Sequence, residues 1–270
     1  SDANATFIRV IDGVVGAWHF DEGSGTIAHD TSGEGNDGTL YDANSTNNDG
    51  DTPPQWVDGK FGEALEFDGS DDYVDLGSTS SLNLEAPFTI ALWFNPTTTS
   101  PDEWMRISSS AQETLAIVLT GHLRFTVYDE DAAKWKEVKC DISGREGEWM
   151  HAVGVATTDS LCLYLDGENV SSPTPWSGNV RDLDANGRKI GKAFWKDVEY
   201  FNGTIDEVHI YNRALSEEEI SDLYNNYGYT TPNYPNKVLV RKYTEPEPVA
   251  IVGEEVEGFF TTIANFLTIE

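Results

Sequence analysis

Short runs of alternating apolar and polar residues recur along most of this chain, and they constrain its fold more than any other feature. The runs occupy residues 14–20, 64–67, 73–76, 88–94, 115–119, 123–128, 135–142, 149–156, 161–165 and 203–211. Glycine, aspartate, asparagine and proline separate them, as turn residues separate strands. Many short strands at this spacing are typical of an antiparallel sandwich and not of strand–helix–strand units. The sequence therefore predicts an all-β fold of two packed sheets.

One helical signal stands near the end of the strand-rich region. Ser216 followed by Glu219 has the spacing of a capping box, in which each residue satisfies the other's backbone N–H. Ile220, Leu223 and Tyr224 then fall on one stripe of a helix. The pattern predicts one short C-terminal helix packed against the sandwich.

Acidic side chains outnumber basic ones by a wide margin. The 270 residues include 17 Lys and Arg against 47 Asp and Glu, which gives a formal net charge of −30. No basic cluster reverses this charge locally, so the chain repels phosphate backbones, and nucleic acid is excluded as a partner. No apolar run approaches the roughly 18 residues of a membrane-spanning helix, so we expect no membrane insertion.

Two features bear on the compartment. Four Asn-x-Ser/Thr sequons begin at Asn4, Asn44, Asn169 and Asn202, and they are compatible with glycosylation of an extracellular protein. Cys140 and Cys162 allow one disulfide at most. Strand alternation places them on faces that argue against pairing, but the sequence leaves the pairing open.

Several segments together resemble one family. They are residues 18–25, 30–40, 59–74, 88–93, 149–153 and 201–216, the last of which matches in nearly every position. Over residues 13–227 the chain resembles the laminin-G-like, concanavalin A-type lectin-glucanase jelly rolls. The resemblance implies a two-sheet antiparallel jelly roll, used mainly for extracellular binding and adhesion and often carrying one calcium ion. Residues 237–253 also resemble the end of such domains in secreted prokaryotic, particularly archaeal, surface proteins.

The chain divides into four segments on this interpretation. Residues 1–12 form an N-terminal strand or extension, and residues 13–227 form the jelly-roll domain. Residues 228–253 are proline-flanked C-terminal strands, and residues 254–270 are an apolar tail. An apolar segment outside a closed sandwich can complete its own sheet or add a strand to a neighbouring copy. The sequence does not decide between these two roles.

The family resemblance implies a calcium site that joins the first loop to the last strand. Its residues correspond here to Asp21 and Asp30 with Asp206, assisted by Ser24 and Asn36. Calcium binds six to eight oxygen atoms, which carboxylates and carbonyls supply. The alternative is that these aspartates form turns and caps, their commonest role. A second acidic loop at residues 68–72 is interpreted as a turn.

Sugar binding needs exposed aromatic rings beside polar groups. Their positions divide the eight tryptophans into expected core residues and candidate ligand-binding residues. Trp18, Trp56, Trp93 and Trp149 fall in or next to the family-matching strands and are expected in the core. The candidate ligand-binding residues have no counterpart in the family pattern, and they are Trp104, Trp135, Trp176, Trp195 and Tyr200, with Tyr128 beside them. The alternative is that they cap the sandwich or lie in an assembly contact.

Catalysis by a glycoside hydrolase would need two carboxyl groups facing one cleft. Alternate acids occur as Glu66 with Asp68, Asp129 with Asp131, and Asp197 with Glu199, but such pairs are frequent by chance in so acidic a chain. The histidines at positions 19, 151 and 209 lie on predicted strands and are interpreted as packing residues. We therefore expect no catalytic residues and no enzyme activity.

These observations predict a secreted, calcium-stabilised, non-catalytic binding or adhesion module at the cell surface. Its expected partner is a glycan or a surface protein. One alternative is a structural subunit of an extracellular filament or sheath that assembles with copies of itself through its terminal segments. A glycoside hydrolase is the other alternative.

Overall fold

A computed structural model describes residues 13–43 and 53–225 of the chain. The strands in chain order are β1 (Val14–Trp18), β2 (Ile27–Ala28), β3 (Gly38–Asp42), β4 (Gln55–Asp58), β5 (Glu63–Asp68), β6 (Asp72–Gly77), β7 (Phe88–Pro96), β8 (Met105–Ser109), β9 (Glu113–Val118), β10 (His122–Asp129), β11 (Lys134–Asp141), β12 (Met150–Ala156), β13 (Ser160–Leu165), β14 (Glu168–Asn169), β15 (Thr174–Pro175), β16 (Arg188–Ile190) and β17 (Asn202–Tyr211). A 3-10 helix covers Ser80–Leu82, and the α-helix α1 covers Glu217–Asn225.

The strands form two antiparallel sheets. A nine-stranded sheet has the order β14-β13-β12-β7-β17-β5-β4, with β1 paired to β17 and β15 paired to β13. An eight-stranded sheet has the order β11-β10-β9-β8-β16-β6-β3-β2. Neighbours in these orders are often distant in the sequence, as expected of a jelly roll. The predicted all-β sandwich of two antiparallel sheets with one short helix is confirmed.

The core lies between the two sheets. On β7, Phe88, Ile90, Leu92 and Phe94 alternate into it, because successive side chains of a strand point to opposite faces. The facing strand β10 contributes Phe125, whose ring leaves no room for a side chain on Gly154: a Cβ there would lie 2.4 Å from the ring. The sheets therefore pack in close contact at this point.

The helix α1 packs on the outer side of the nine-stranded sheet. The predicted capping box forms, since Ser216 N donates to Glu219 Oε2 (2.9 Å) and Glu219 N donates to Ser216 Oγ (3.2 Å). Ile220 and Leu223 join a second apolar cluster with Val153 and other residues of this sheet. The helix therefore covers part of the outer face of the nine-stranded sheet.

Several predictions concern residues outside the described ranges. They include the roles of residues 1–12, 228–253 and 254–270, which stay predictions. Within residues 13–43 and 53–225, no helix has the length and apolar character needed to cross a membrane. Cys140 and Cys162 are free thiols here, and burial raises the pKa of Cys140 to about 12.

Candidate functional site

A row of polar side chains crosses seven strands of the eight-stranded sheet. The row runs from β11 to β3 through cross-strand partners, in the order Glu137, Thr126, Thr114, Ser109, Lys189, Asp75 and Thr39. Cross-strand partners share one face of a sheet, and the alternate residues Phe125 and Val74 belong to the core. The polar row therefore lies on the outer face and spans about 29 Å, from six strand spacings of about 4.8 Å.

The segment of residues 191–201 lies across the middle of this row. Ser109 Oγ donates to the carbonyl of Lys192 (2.7 Å), and Arg106 N donates to the carbonyl of Glu199 (3.0 Å). As a result, Ser109 and Thr114 are only 0% and 2% exposed. The segment brings Trp195 over the strands that carry the polar row.

Two tryptophans and two arginines pack together beside the row. The guanidinium of Arg106 lies 4.6 Å from the ring centre of Trp104 and 5.0 Å from that of Trp195. The guanidinium of Arg124 lies 5.1 Å from the Trp104 ring. Cations over aromatic rings attract the electron-rich ring face. We call Trp104, Arg106, Arg124, Trp195 and Glu199 the Trp–Arg cluster.

Hydrogen bonds fix the two guanidinium groups of the Trp–Arg cluster. Arg106 Nε donates to Glu199 Oε2 (2.6 Å), and Arg106 Nη1 donates to Thr114 Oγ1 (2.9 Å). Arg124 Nη1 donates to Glu137 Oε2 (2.8 Å). Burial lowers the pKa of Arg106, and Glu199 opposes that shift. The cluster is thus a preformed set of aromatic rings, donors and acceptors.

Exposed aromatic rings flank these polar groups. Trp195 is 45% exposed, and Phe194 contacts its ring edge-on with the ring centres 4.8 Å apart. At the β11 edge, Trp135 is 41% exposed and contacts Tyr128, with ring centres 5.4 Å apart. Arg181 lies 3.5 Å above the Tyr128 ring. Water therefore reaches aromatic surface on both sides of Arg124.

A further aromatic group lies at the opposite end of the sheet. Tyr41 stacks on Tyr73 with ring centres 5.2 Å apart, and Lys192 lies 4.1 Å above the Tyr73 ring. The Lys192 ammonium also lies 5.9 Å from the ring centre of Tyr200. Burial raises the pKa of Tyr73 to about 12 and also raises the pKa of Tyr200. These phenols therefore stay neutral hydrogen-bonding groups at neutral pH.

The structure separates the predicted ligand-binding residues. Trp104 and Trp195 meet in the Trp–Arg cluster, Trp135 lies at the β11 edge, and Tyr200 lies near the β6 end. The prediction for Trp176 is wrong, because this side chain is 7% exposed within the core and its Nε1 donates to the carbonyl of Thr157. The sequence interpretation missed Arg106 and Arg124. Each arginine alternates with apolar residues along its strand, β8 or β10. This alternation could have identified both side chains as lying on the outer face of the sheet.

Two residues of the predicted calcium set, Asp30 and Asn36, make hydrogen bonds that shape the loop after β2. Asp30 Oδ1 accepts from the backbone N–H groups of Ala17 and Ser32, and Asp30 Oδ2 accepts from Ser32 Oγ and Asn36 N. The Asn36 side-chain oxygen accepts from the hydroxyl groups of Thr79 and Ser81. Asp30 and Asn36 therefore act as the turn-forming residues of the alternative interpretation, and Ser24 is exposed in the preceding loop.

The other two aspartates of that set, Asp21 and Asp206, lie at a different place in the fold. Asp21 Oδ1 accepts from Glu63 N (3.0 Å), and Asp206 Oδ2 accepts from Phe61 N (3.0 Å). Both bonds are made to the β4–β5 hairpin, where a Cβ on Gly59 would lie 2.8 Å from Asp206 Oδ2. Among the described residues, Asp21, Asp30 and Asp206 do not form a group with ligand atoms within 4.8 Å of one another. The three aspartates therefore do not form a compact carboxylate group, and calcium binding by this chain stays a prediction.

Two other groups of side chains do place three ligand atoms within 4.8 Å of one another in the described part of the chain. One is Asp68 with Asp71 and Asp72. It forms the turn expected at residues 68–72, since Asp68 Oδ1 accepts from Ser70 N (2.7 Å). The other is His19 with Glu207 and His209. The interpretation of these two histidines as packing residues missed their contact with Glu207.

The alternate acids considered for hydrolysis take part in other contacts. Glu199 pairs with Arg106, and Asp197 pairs with Lys192. Asp129 is 1% exposed and accepts from the Ser177 hydroxyl at 2.7 Å. None of these contacts is the arrangement of two carboxyl groups across a cleft that hydrolysis needs.

The sequons differ in accessibility. Asn169 is exposed on β14. Asn202 is half-buried, its Nδ2 donates to the carbonyl of Asp68 (2.8 Å), and its Oδ1 accepts from the Thr97 hydroxyl (2.6 Å). Glycosylation at Asn169 and Asn202 stays a prediction. Asn4 and Asn44 lie outside the described residues.

Known structures share this fold at low sequence identity. The receptor binding domain of botulinum neurotoxin mosaic serotype C/D has a TM-score of 0.61 and 17% identity, with 79% of this chain and 50% of that chain covered. The binding domain of Paraclostridial Mosquitocidal Protein 1 has a TM-score of 0.61 and 16% identity, with 80% and 52% covered. The present chain thus spans about half the length of these two proteins.

A third structure is covered over its full length. Domain 4 of AbnA, a GH43 extracellular arabinanase from Geobacillus stearothermophilus solved in complex with arabinotriose, has a TM-score of 0.58 and 19% identity, with 82% of this chain and 100% of that chain covered. No curated protein matches the chain. The model of the concanavalin A-like lectin/glucanases superfamily named Laminin_G_3 matches residues 68–221. The chain belongs to this superfamily.

Proposed function

We propose that this protein is a non-catalytic glycan-binding module whose binding site is the Trp–Arg cluster with the neighbouring β10–β11 side of the polar row. The observation that carries the proposal is the exposed ring of Trp195, held against Arg106 beside a row of hydroxyl, carboxylate and cationic groups. A glycan presents apolar C–H faces and many hydroxyl groups. A site for it therefore needs flat aromatic surface together with fixed hydrogen-bonding groups.

The described residues supply both kinds of group. Trp195 and Trp135 offer ring surface to solvent, at 45% and 41% exposure. Between them, the Arg124 and Glu137 side chains are 20% and 46% exposed and already paired, so both groups are held in position before a ligand binds. The rings have few rotatable bonds, and they lose little conformational entropy when a ligand stacks on them.

The similar proteins support a binding role. One is solved in complex with arabinotriose, and two are described as binding domains. We propose for this chain the same class of activity outside the cell, on a glycan or a glycosylated surface protein. A structural role in a filament would depend on residues 1–12 and 254–270, which lie outside the described ranges, and it stays a separate prediction.

The test is a glycan array followed by titration calorimetry with the best ligand. We expect Trp195→Ala and Trp104→Ala each to weaken binding at least tenfold, which corresponds to about 1.4 kcal/mol, because aromatic anchors dominate binding energy. Trp135→Ala should weaken it less if the ligand extends only to Arg124. The melting temperature of each variant shows that the fold is retained.

Ile27→Ala is the matched control, since Ile27 is 37% exposed but lies on β2, at the opposite edge of the sheet from β10 and β11. It should leave the affinity unchanged. The proposal fails if the protein binds no glycan on the array, or if Trp195→Ala binds as tightly as the unaltered protein. Binding lost equally in Ile27→Ala would show that the effect is not local.

A further inference from the structure

We infer that His19, Glu207 and His209 form a binding site for one late first-row divalent cation of the zinc type. Each residue contributes one ligand atom, and these atoms lie within 4.8 Å of one another. The three residues belong to the nine-stranded sheet, whereas the Trp–Arg cluster belongs to the eight-stranded sheet. The site therefore does not depend on the proposed glycan binding.

The distances between donor atoms are close to those of a metal site. His19 Nδ1 lies 2.6 Å from Glu207 Oε2, and His209 Nε2 lies 3.9 Å from the same oxygen. In a tetrahedral zinc site with bonds of about 2.0–2.2 Å, neighbouring donor atoms lie about 3.3–3.6 Å apart. Side-chain shifts of less than about 1 Å would bring the three donors to that geometry. An ion would replace the proton between His19 and Glu207.

The His209 imidazole is held in the tautomer that a metal ligand needs. Its Nδ1 lies 2.9 Å from the carbonyl of Glu207, and a carbonyl only accepts hydrogen bonds. Nδ1 therefore carries the proton, and in the neutral ring Nε2 carries the lone pair. A backbone carbonyl in this position is a common orienting partner of metal-binding histidines.

The two strands that supply the ligands meet directly. Trp18 on β1 pairs with Val208 on β17, and this places His19 beside Glu207 and His209. The pairing of β17 with β7 is irregular between Asp206 and His209, and Glu207 has a φ of 53°. A non-glycine residue at positive φ costs energy, and such residues concentrate at functional sites. The bulge turns Glu207 toward both histidines.

Burial and charge also favour a bound cation. The Glu207 side chain is 0% exposed, whereas those of His19 and His209 are 13% and 9% exposed. Asp206, the preceding residue, is 0% exposed as well. A divalent ion would offset the cost of burying two adjacent carboxylates, and the exposed edges of the imidazoles leave a path from solvent.

The donor set selects the class of metal. Imidazole nitrogen suits zinc, copper, iron and nickel, whereas calcium takes oxygen ligands. Two histidines and one glutamate also leave one position of a tetrahedral ion open to water or a ligand. The proposed site therefore has nitrogen ligands, and it is separate from the calcium site implied by the family resemblance.

Metal binding by the full-length, tag-free protein tests the inference. The metal-depleted protein is titrated with Zn2+ by calorimetry, and with Co2+ while its visible spectrum is recorded. We expect one ion per chain, an intense tetrahedral-type Co2+ spectrum that Zn2+ abolishes, and a melting temperature raised by several degrees. Ca2+ should not displace Co2+. A weak spectrum like that of hydrated Co2+, or no zinc binding, would overturn the inference.

Variants assign the ion to these residues. His19→Gln and His209→Gln should each lower zinc affinity at least tenfold and abolish the tetrahedral Co2+ spectrum. His122→Gln is the matched control, because His122 lies on β10 with its Nδ1 donating to the carbonyl of Thr120, and it should bind zinc normally. All five histidines lie within the described residues at positions 19, 29, 122, 151 and 209. Undiminished zinc binding in the His19→Gln, His209→Gln double variant would refute the site.

Discussion

Replacing Arg188 by methionine is expected to lower the free energy of unfolding by about 3–5 kcal/mol. The side chains of Arg188 on β16 and Glu113 on β9 are both 0% exposed, and Arg188 Nη1 donates to Glu113 Oε1. Glu113 Oε1 also accepts from the Ser110 hydroxyl at 3.1 Å. Methionine fills most of the arginine volume, so the loss would come from the glutamate charge left in the core. Urea unfolding of the wild type and the variant at neutral pH measures this loss in the free energy of unfolding.

A double variant separates the buried charge from the lost packing. Arg188→Met combined with Glu113→Leu removes both charges, and we expect it to be more stable than Arg188→Met alone, because a buried ion pair gains little over apolar residues of similar volume. Arg181→Met is the control, since Arg181 lies 3.6 Å from Glu130 at the surface and should cost less than about 1 kcal/mol. The explanation would be contradicted if the double variant lost as much as the sum of the single variants.

The fold could be predicted because its determinants are local. On β7 the apolar alternation of residues 88–94 gives the core face without knowledge of any partner strand. Ser216 and Glu219 likewise define the start of α1 by their spacing alone. Residue type alone was misleading for Trp93, which was expected in the core. Trp93 is buried, but it lies on the opposite face from Phe94 and stacks on Tyr224, so it is not part of the core between the sheets.

The candidate sites could not be predicted in full because they depend on register between distant segments. Thr39 and Glu137 share a face only through five intervening strands, and no local pattern specifies that order. Two irregularities also shift the alternation, one between Arg106 and Ser108 and one between Asp206 and His209. The contact of His19 with Glu207 and His209 depends on the pairing of β1 with β17, two strands that lie far apart in the sequence.

Lowering the pH should destabilise this protein through His151. The imidazole is 3% exposed on β12, and its ring centre lies 5.0 Å from that of Trp93 and 6.2 Å from that of Tyr224. Burial, with a smaller contribution from His209, lowers the pKa of His151 to about 3 from the ordinary 6.5. The neutral ring is therefore retained in the folded state, while the unfolded chain binds a proton below about pH 6.5.

The sign and size of the effect follow from this difference in proton binding. Because the unfolded state binds more protons, stability is complete above about pH 6.5 and falls as the pH drops toward the folded-state pKa. Each pH unit in this window costs about 1.4 kcal/mol, so the loss from about pH 7 to about pH 4.5 is about 2–3 kcal/mol. Protonation of the carboxylates also changes stability, so the measurement is a comparison of variants.

His151→Phe keeps an aromatic ring beside Trp93 and Tyr224 but removes the titrating group. Urea unfolding at several pH values should show the wild type losing about 2–3 kcal/mol more than this variant between about pH 7 and about pH 4.5. His122→Gln, altered at a histidine outside the core, should follow the wild type across the same range. If His151→Phe and the wild type lose stability in parallel, protons other than that of His151 control the acid sensitivity, and the buried imidazole is not the group that couples folding to pH.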